Sequence, residues 1–75
     1  MDVKEELLDI VTEYIDTPKD KIDTSVGLKF IGLNSFVMLS MVAEIEEHFN
    51  ISIPDAKLPE FNTLDDIIGY IEQVI

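Results

Sequence analysis

From residue 2 to residue 15, apolar side chains fall at Val3, Leu7, Val11 and Tyr14, with Leu8, Ile10 and Ile15 widening the stripe. That spacing predicts an amphipathic first helix. Asp2 stands where an N-cap belongs, with Glu5 three residues on, and Pro18 cannot continue the helix beyond Ile15. Residues 16–34 hold no sustained period and contain Pro18, Gly27 and Gly32, so they predict a long connection with one helical turn begun at Thr17-Pro18. Its apolar members Ile22, Val26, Leu28, Phe30, Ile31 and Leu33 are expected to pack across the bundle, as a long ordered connection must if it is not to stay structureless.

The helical period returns from Ser35 to Phe49, where Leu39, Val42, Ile45 and Phe49 make one apolar stripe and Glu44, Glu46, Glu47 and His48 gather towards the end. Residues 50–55 end this second helix, and the stretch through Phe61, interrupted by Pro59, has room only for a short irregular turn or helix. Thr63 before Leu64, with Asp66 three residues on, forms a capping-box pattern, and Asp65 and Asp66 suit the positive end of a helix dipole. Leu64, Ile67, Ile68, Ile71, Val74 and Ile75 are the expected buried face of the last helix. Ile51-Ser52-Ile53 alternates like a strand, but it is too short and has no partner. The prediction is an all-α, four-helix bundle over residues 1–75 as a single domain, with three long helices, one short one and a long loop between the first two.

Composition narrows the function classes. A 75-residue chain that is 47% hydrophobic can build one modest core and does not resemble a disordered tail. It has no cysteine, which removes disulfides, thiolate metal sites and cysteine nucleophiles and fits a cytoplasmic location. Residues 1–6 lack the basic start of a signal peptide, and no apolar run reaches the ~20 residues of a membrane span, so membrane insertion is not expected. Sixteen acids against five basic residues give a formal charge of -11, which repels nucleic acid and anionic lipid and favours partners with basic patches. Solubility alone explains a surplus of acid equally well.

Catalytic and metal-binding motifs do not emerge. His48 near the end of the second helix reads as a structural residue that complements the dipole. No EF-hand order of oxygen ligands occurs, and the acids read as a solvated surface that faces partners. The informative segment is Gly32-Leu33-Asn34-Ser35-Phe36, at the junction of loop and second helix. Taken alone, Ser35 is a plain N-cap. It also lies where free backbone N–H groups and the helix dipole would tolerate a phosphodiester best.

This segment resembles the Gly-x-Asp-Ser-Leu signature of the acyl carrier protein family, and Ile45-Glu46-Glu47-His48-Phe49, Ile53-Pro54-Asp55 and Thr63-Leu64 to Tyr70-Ile71 follow the family's order and spacing. The resemblance covers essentially the whole chain and implies a bundle of the acyl carrier type. It also implies carriage in place of catalysis: 4'-phosphopantetheine, placed on Ser35 by a phosphopantetheinyl transferase, holds an acyl intermediate as a thioester. The cofactor's sulfur then explains the missing cysteine. Implied partners are that transferase and the acyl-loading and condensing enzymes of fatty-acid or polyketide type, visited by a monomer. Asn34 and Phe36 flank the attachment site, with Phe36 as an apolar contact for partners.

Met38 and Met41, with Leu39, Ile45 and Ile67, either border a cleft for an acyl chain or simply pack the core. Asn34 replaces the family's usual Asp, and Val37 and Ser40 stand where fatty-acid carriers commonly have acids. Specialised partners are therefore expected to bind Phe36, Val37 and Met38 by apolar contact, with charge supplied by Glu44, Glu46 and Glu47. Two other readings remain at this level. One is an aminoacyl or peptidyl carrier of a specialised pathway, and the other is an unmodified acidic helical module for protein interaction.

Overall fold

The computed structural model describes residues 2–75, over which the chain forms α1 (Val3–Val11), α2 (Ser35–Phe49) and α3 (Leu64–Val74). A 3-10 helix, Asp55–Glu60, is the short fourth member and contains Pro59, as the spacing of prolines predicts. Two more 3-10 turns, Lys19–Lys21 and Leu28–Ile31, order the long connection. The first starts beside Pro18, where the sequence predicts a turn; the second carries no periodic signal.

Local capping chemistry sets the helix starts. The Asp2 carboxylate accepts the Glu5 N–H at 3.1 Å. Thr63 accepts the Asp66 N–H at 3.1 Å, while the Asp66 carboxylate accepts the N–H groups of Asn62 at 2.8 Å and Thr63 at 3.1 Å. The Asn62 N–H first, and then Thr63, hold the Asp66 carboxyl below its ordinary range.

α1 stops at Val11, short of the predicted Ile15. The Thr12 hydroxyl turns back to donate to the Asp9 carbonyl at 2.8 Å, and the N–H groups of Glu13 and Tyr14 switch to tighter bonds with Ile10 and Val11. Tyr14 then leaves the helix axis and donates its hydroxyl to Glu44 of α2 at 2.7 Å. That bond, aided by partial burial and by the charges of Glu44 and Glu13, pushes the phenol up from its usual 10 to about 12. The folded value lies above the unfolded one, so the bond's contribution to stability is complete below about pH 10 and disappears as pH rises through about 12. In an ultraviolet titration, Tyr14→Phe should remove a phenolate transition near pH 12. Loss of a transition near pH 10 instead would contradict this bond.

Leu7, Val11, Met41, Ile45, Leu64, Ile67 and Ile71 are fully enclosed, and α1 packs against both α2 and α3. The buried face of α2 is Met41, Val42, Ile45 and Phe49; Leu39, placed in that stripe by the sequence, is exposed. Face centring explains the difference, because a helix at 100° per residue that buries Met41 and Ile45 turns Leu39 outward. Val74 and Ile75 likewise stand exposed, beyond the last enclosed residue Ile71. In the connection Leu28 and Leu33 are buried and Ile22 and Ile31 pack on the core, whereas Phe30 points to solvent beneath the Lys29 ammonium. The Ile51-Ser52-Ile53 segment is no strand; the Ile53 N–H donates to Glu46 at 2.7 Å.

Few ion pairs offset the acidic charge. Lys19 reaches Glu5 at 3.0 Å and Asp9 at 2.7 Å, Lys57 pairs with Glu60, and His48 joins α2 to α1 through Glu6 at 2.8 Å. With a net charge of -11, self-repulsion in the folded state remains. Added salt or a divalent cation is therefore expected to raise the melting temperature by screening. A melt that responds to neither would contradict this electrostatic account.

Candidate functional site

The junction between the connection and α2 is assembled from three constraints. First, the loop is pinned to the start of α3: the Leu28 N–H donates to the Asn62 carbonyl at 2.9 Å, the Asp65 N–H to the Thr24 carbonyl at 3.0 Å, and Gly27 forms a lone antiparallel bridge with Thr63. A Cβ at Gly27 would lie 3.0 Å from the exposed Phe30 ring, which would have to shift by a few tenths of an ångström to admit it. Second, Gly32 ends the 3-10 turn at φ 94°, a left-handed conformation open to glycine at little cost. Third, Leu33 drops into the core and fixes where α2 begins.

Asn34, with an extended backbone, is the N-cap of α2, and its side-chain oxygen accepts the Val37 N–H at 2.9 Å. This corrects the plain-cap reading of Ser35. Ser35 is the first helical residue, exposed, and its hydroxyl is not used to close the helix. The Ser35 and Phe36 N–H groups precede the helical ladder: the Val37 N–H goes to the Asn34 side-chain oxygen, and the first backbone bond runs from the Met38 N–H to the Asn34 carbonyl. No acid occupies the first turn of α2. The result is an exposed hydroxyl at the positive end of a fifteen-residue helix whose first turn carries no acid.

Beside Ser35 lies an open groove of about 690 Å³. Leu28, Leu33, Met38, Leu39, Leu58 and Phe61 give it apolar walls, and Lys29, Asn34 and Asn62 give it polar ones. Of the residues suggested for an apolar cleft, Met38 and Leu39 line this groove. Met41, Ile45 and Ile67 do not; they are fully enclosed core residues. Asn34 lines the groove, whereas Phe36 stands out in solvent at 82% exposure. The groove wall contributed by Leu58, Pro59, Phe61 and Asn62 comes from the short helix and the turn after it, which show no period that marks them as part of a site.

The suggested partner-facing residues fall into two groups. Phe36 is exposed, and Val37 and Met38 are half-buried against the core. Of the acids, Glu44 receives the Tyr14 hydroxyl and Glu46 receives the Ile53 N–H, so both serve the fold, while Glu47 is exposed. No helix among the described residues is long and apolar enough to cross a membrane.

Comparison with known proteins adds the family. Residues 5–71 match the family described as "Phosphopantetheine attachment site". An acyl carrier protein of Campylobacter hominis is 33% identical over 99% of this chain and 95% of its own length. A putative mitochondrial acyl carrier protein of Schizosaccharomyces pombe is 35% identical over 93% of this chain and 64% of its own. Among solved structures, the chain superposes with a TM-score of 0.81 and 26% identity on a chain in the crystal structure of an engineered Bradyrhizobium japonicum glycine:[carrier protein] ligase complexed with a carrier protein from Agrobacterium tumefaciens and ATP. The match covers 96% of this chain and 99% of that one.

Proposed function

This chain belongs to the acyl carrier protein family, whose members are non-catalytic carriers with a phosphopantetheine attachment site, and from that premise we propose that Ser35 is the attachment point. The observation that carries the proposal is the division of labour at the α2 start: Asn34 closes the helix and leaves the Ser35 hydroxyl exposed and unused. The residues fit the group. Free N–H groups at Ser35 and Phe36 and the positive helix end favour its phosphodiester, and the apolar groove with Asn34 and Asn62 on its walls suits an amide-bearing arm. When attached, the arm supplies a thiol on which acyl cargo is held as a thioester. The chain itself supplies the anchor oxygen and a surface by which enzymes find it.

The cargo proposed is an acyl intermediate of fatty-acid or polyketide type, delivered among loading and condensing enzymes in the cytoplasm by a monomeric carrier. An aminoacyl cargo is the second reading, favoured by the likeness to a chain crystallised with a glycine:[carrier protein] ligase. Incubation with coenzyme A, Mg²⁺ and a broad-specificity phosphopantetheinyl transferase is expected to add one phosphopantetheinyl group to the intact mass. No gain would favour an unmodified interaction module. Loading of the product by malonyl or fatty acyl donors, against activated amino acids, then separates the two carrier readings.

A further inference from the structure

The groove beside Ser35 differs in charge from the chain that forms it. The protein carries a formal charge of -11. Yet of the twelve residues that line the groove none is Asp or Glu, and one, Lys29, is a cation. Both sides of the pairing between the connection and the start of α3 contribute to that lining, Asn62 among them. The acids that flank Asn62 lie outside it: Glu60 pairs with Lys57 at 3.2 Å, Asp66 accepts the N–H groups of Asn62 and Thr63, and Asp65 is exposed in the first turn of α3. Lys19 and Lys57 are held by carboxylates, whereas Lys29 forms no ion pair among the described residues. Its ammonium lies 5.3 Å from the centroid of the exposed Phe30 ring, a contact that leaves the charge available. The backbone beneath it is fixed. Leu28 and Leu33 are buried on either side, the Leu28 N–H donates to the Asn62 carbonyl at 2.9 Å, and the Gly32 N–H donates to the Lys29 carbonyl at 3.4 Å.

We infer that Lys29 is a positioning residue for the arm: its ammonium pairs with the phosphodiester carried on Ser35 and keeps the root of the arm against the groove. The inference rests on Ser35 being the attachment point. A phosphodiester brings a permanent negative charge onto a chain whose field already repels anions. The N–H groups at the start of α2 offset part of that repulsion, and Lys29 is the side-chain cation that shares a groove with the serine. A lysine is a compact charge on a flexible four-carbon stem, so it can follow a tethered phosphate without imposing a single geometry. In the unfolded chain nothing holds the two groups together, so the pair stabilises the loaded, folded protein specifically. Both groups are solvated, which keeps the pair weak and lets the arm leave the groove when an enzyme calls for the cargo.

The test is a cycle of thermal melts at low salt, each protein measured before and after complete loading with coenzyme A, Mg²⁺ and excess broad-specificity transferase, the loading verified by intact mass. The proteins are wild type, Lys29→Gln, Lys29→Arg and Lys21→Gln. Lys29 and Lys21 are both exposed, so the unloaded variants should melt near wild type. Lys21→Gln removes the same unit of charge from outside the groove and serves as the control. The effect of loading on the folding equilibrium is expected to be about threefold less favourable in Lys29→Gln than in wild type, a difference of about 3–5 °C in the melting shift. Lys29→Arg should keep the wild-type shift, Lys21→Gln should match it closely, and 0.5 M salt should erase the deficit of Lys29→Gln, with salt at about that concentration screening an exposed pair. An equal loading shift in wild type and Lys29→Gln overturns the inference. So does an equal deficit in Lys21→Gln, which would make the effect one of net charge, a deficit in Lys29→Arg, or a deficit that survives salt. A wild type that gains no mass fails at the earlier step: it overturns Ser35 as the attachment point, and the pairing with it.

Discussion

Ile45→Ala is expected to lower the melting temperature by roughly 15 °C or more and to leave a large unfolded fraction at 37 °C. Ile45 is fully enclosed in the middle of α2, on the face directed at the core. Truncation there removes buried methyl and methylene groups and leaves a cavity, a combined loss of about 2–5 kcal/mol. A chain of 75 residues holds only about 4–11 kcal/mol in total, so a single cavity can consume half of it. The core has no disulfide to limit the damage, because the chain has no cysteine. Phe36→Ala provides the contrast: it removes a larger side chain from the same helix, but one that folding leaves in water, and its melt should stay within a few degrees of wild type. Circular dichroism melts of the two variants check the pair of statements together. Similar losses in both would mean that α2 is oriented differently from the arrangement described above.

What the sequence made legible was mostly local. Asp2 and the Thr63–Asp66 pair mark helix starts because capping is chemistry within four residues, and the structure has both bonds in place. The span of α2 from Ser35 to Phe49 follows directly from its period. Where two side chains compete for one local role, sequence could not choose. Asn34 and Ser35 are both good caps, and the decision depends on which residue adopts extended backbone; Asn34 does, with φ -79° and ψ 173°. The early end of α1 and the exposure of Leu39 depend on which neighbours each face meets. The groove depends still more on distant pairings. Its shape follows from Leu28 bonding to Asn62 and from the bridge between Gly27 and Thr63, contacts that no periodicity announces. Glu46 illustrates the same limit: the period places it at a polar position, and only the folded chain gives it the Ile53 N–H.

Ser35→Ala is expected to abolish phosphopantetheinylation completely while it leaves the fold intact. The two effects separate because Asn34, and not Ser35, supplies the cap bond to Val37. Alanine is also the best helix former at an exposed helical position, so the variant should melt within about 0.5 kcal/mol of wild type. Had Ser35 been the cap, the same substitution would cost about 1 kcal/mol of stability, and lost modification could be blamed on a frayed helix start. Asn34→Ala gives the reciprocal result: it should destabilise by about 1 kcal/mol and still accept the group.

The central claim is that the group sits on Ser35, and site mapping tests it most directly. Cleavage after lysine releases residues 30–57 as one peptide, whose only hydroxyl side chains are Ser35, Ser40 and Ser52. Fragment-ion mass spectrometry of this peptide, taken from protein treated with coenzyme A and transferase, should place the phosphopantetheinyl group on Ser35 alone. A group on Ser40 or Ser52, or an unmodified peptide from protein whose mass has risen, would contradict the account.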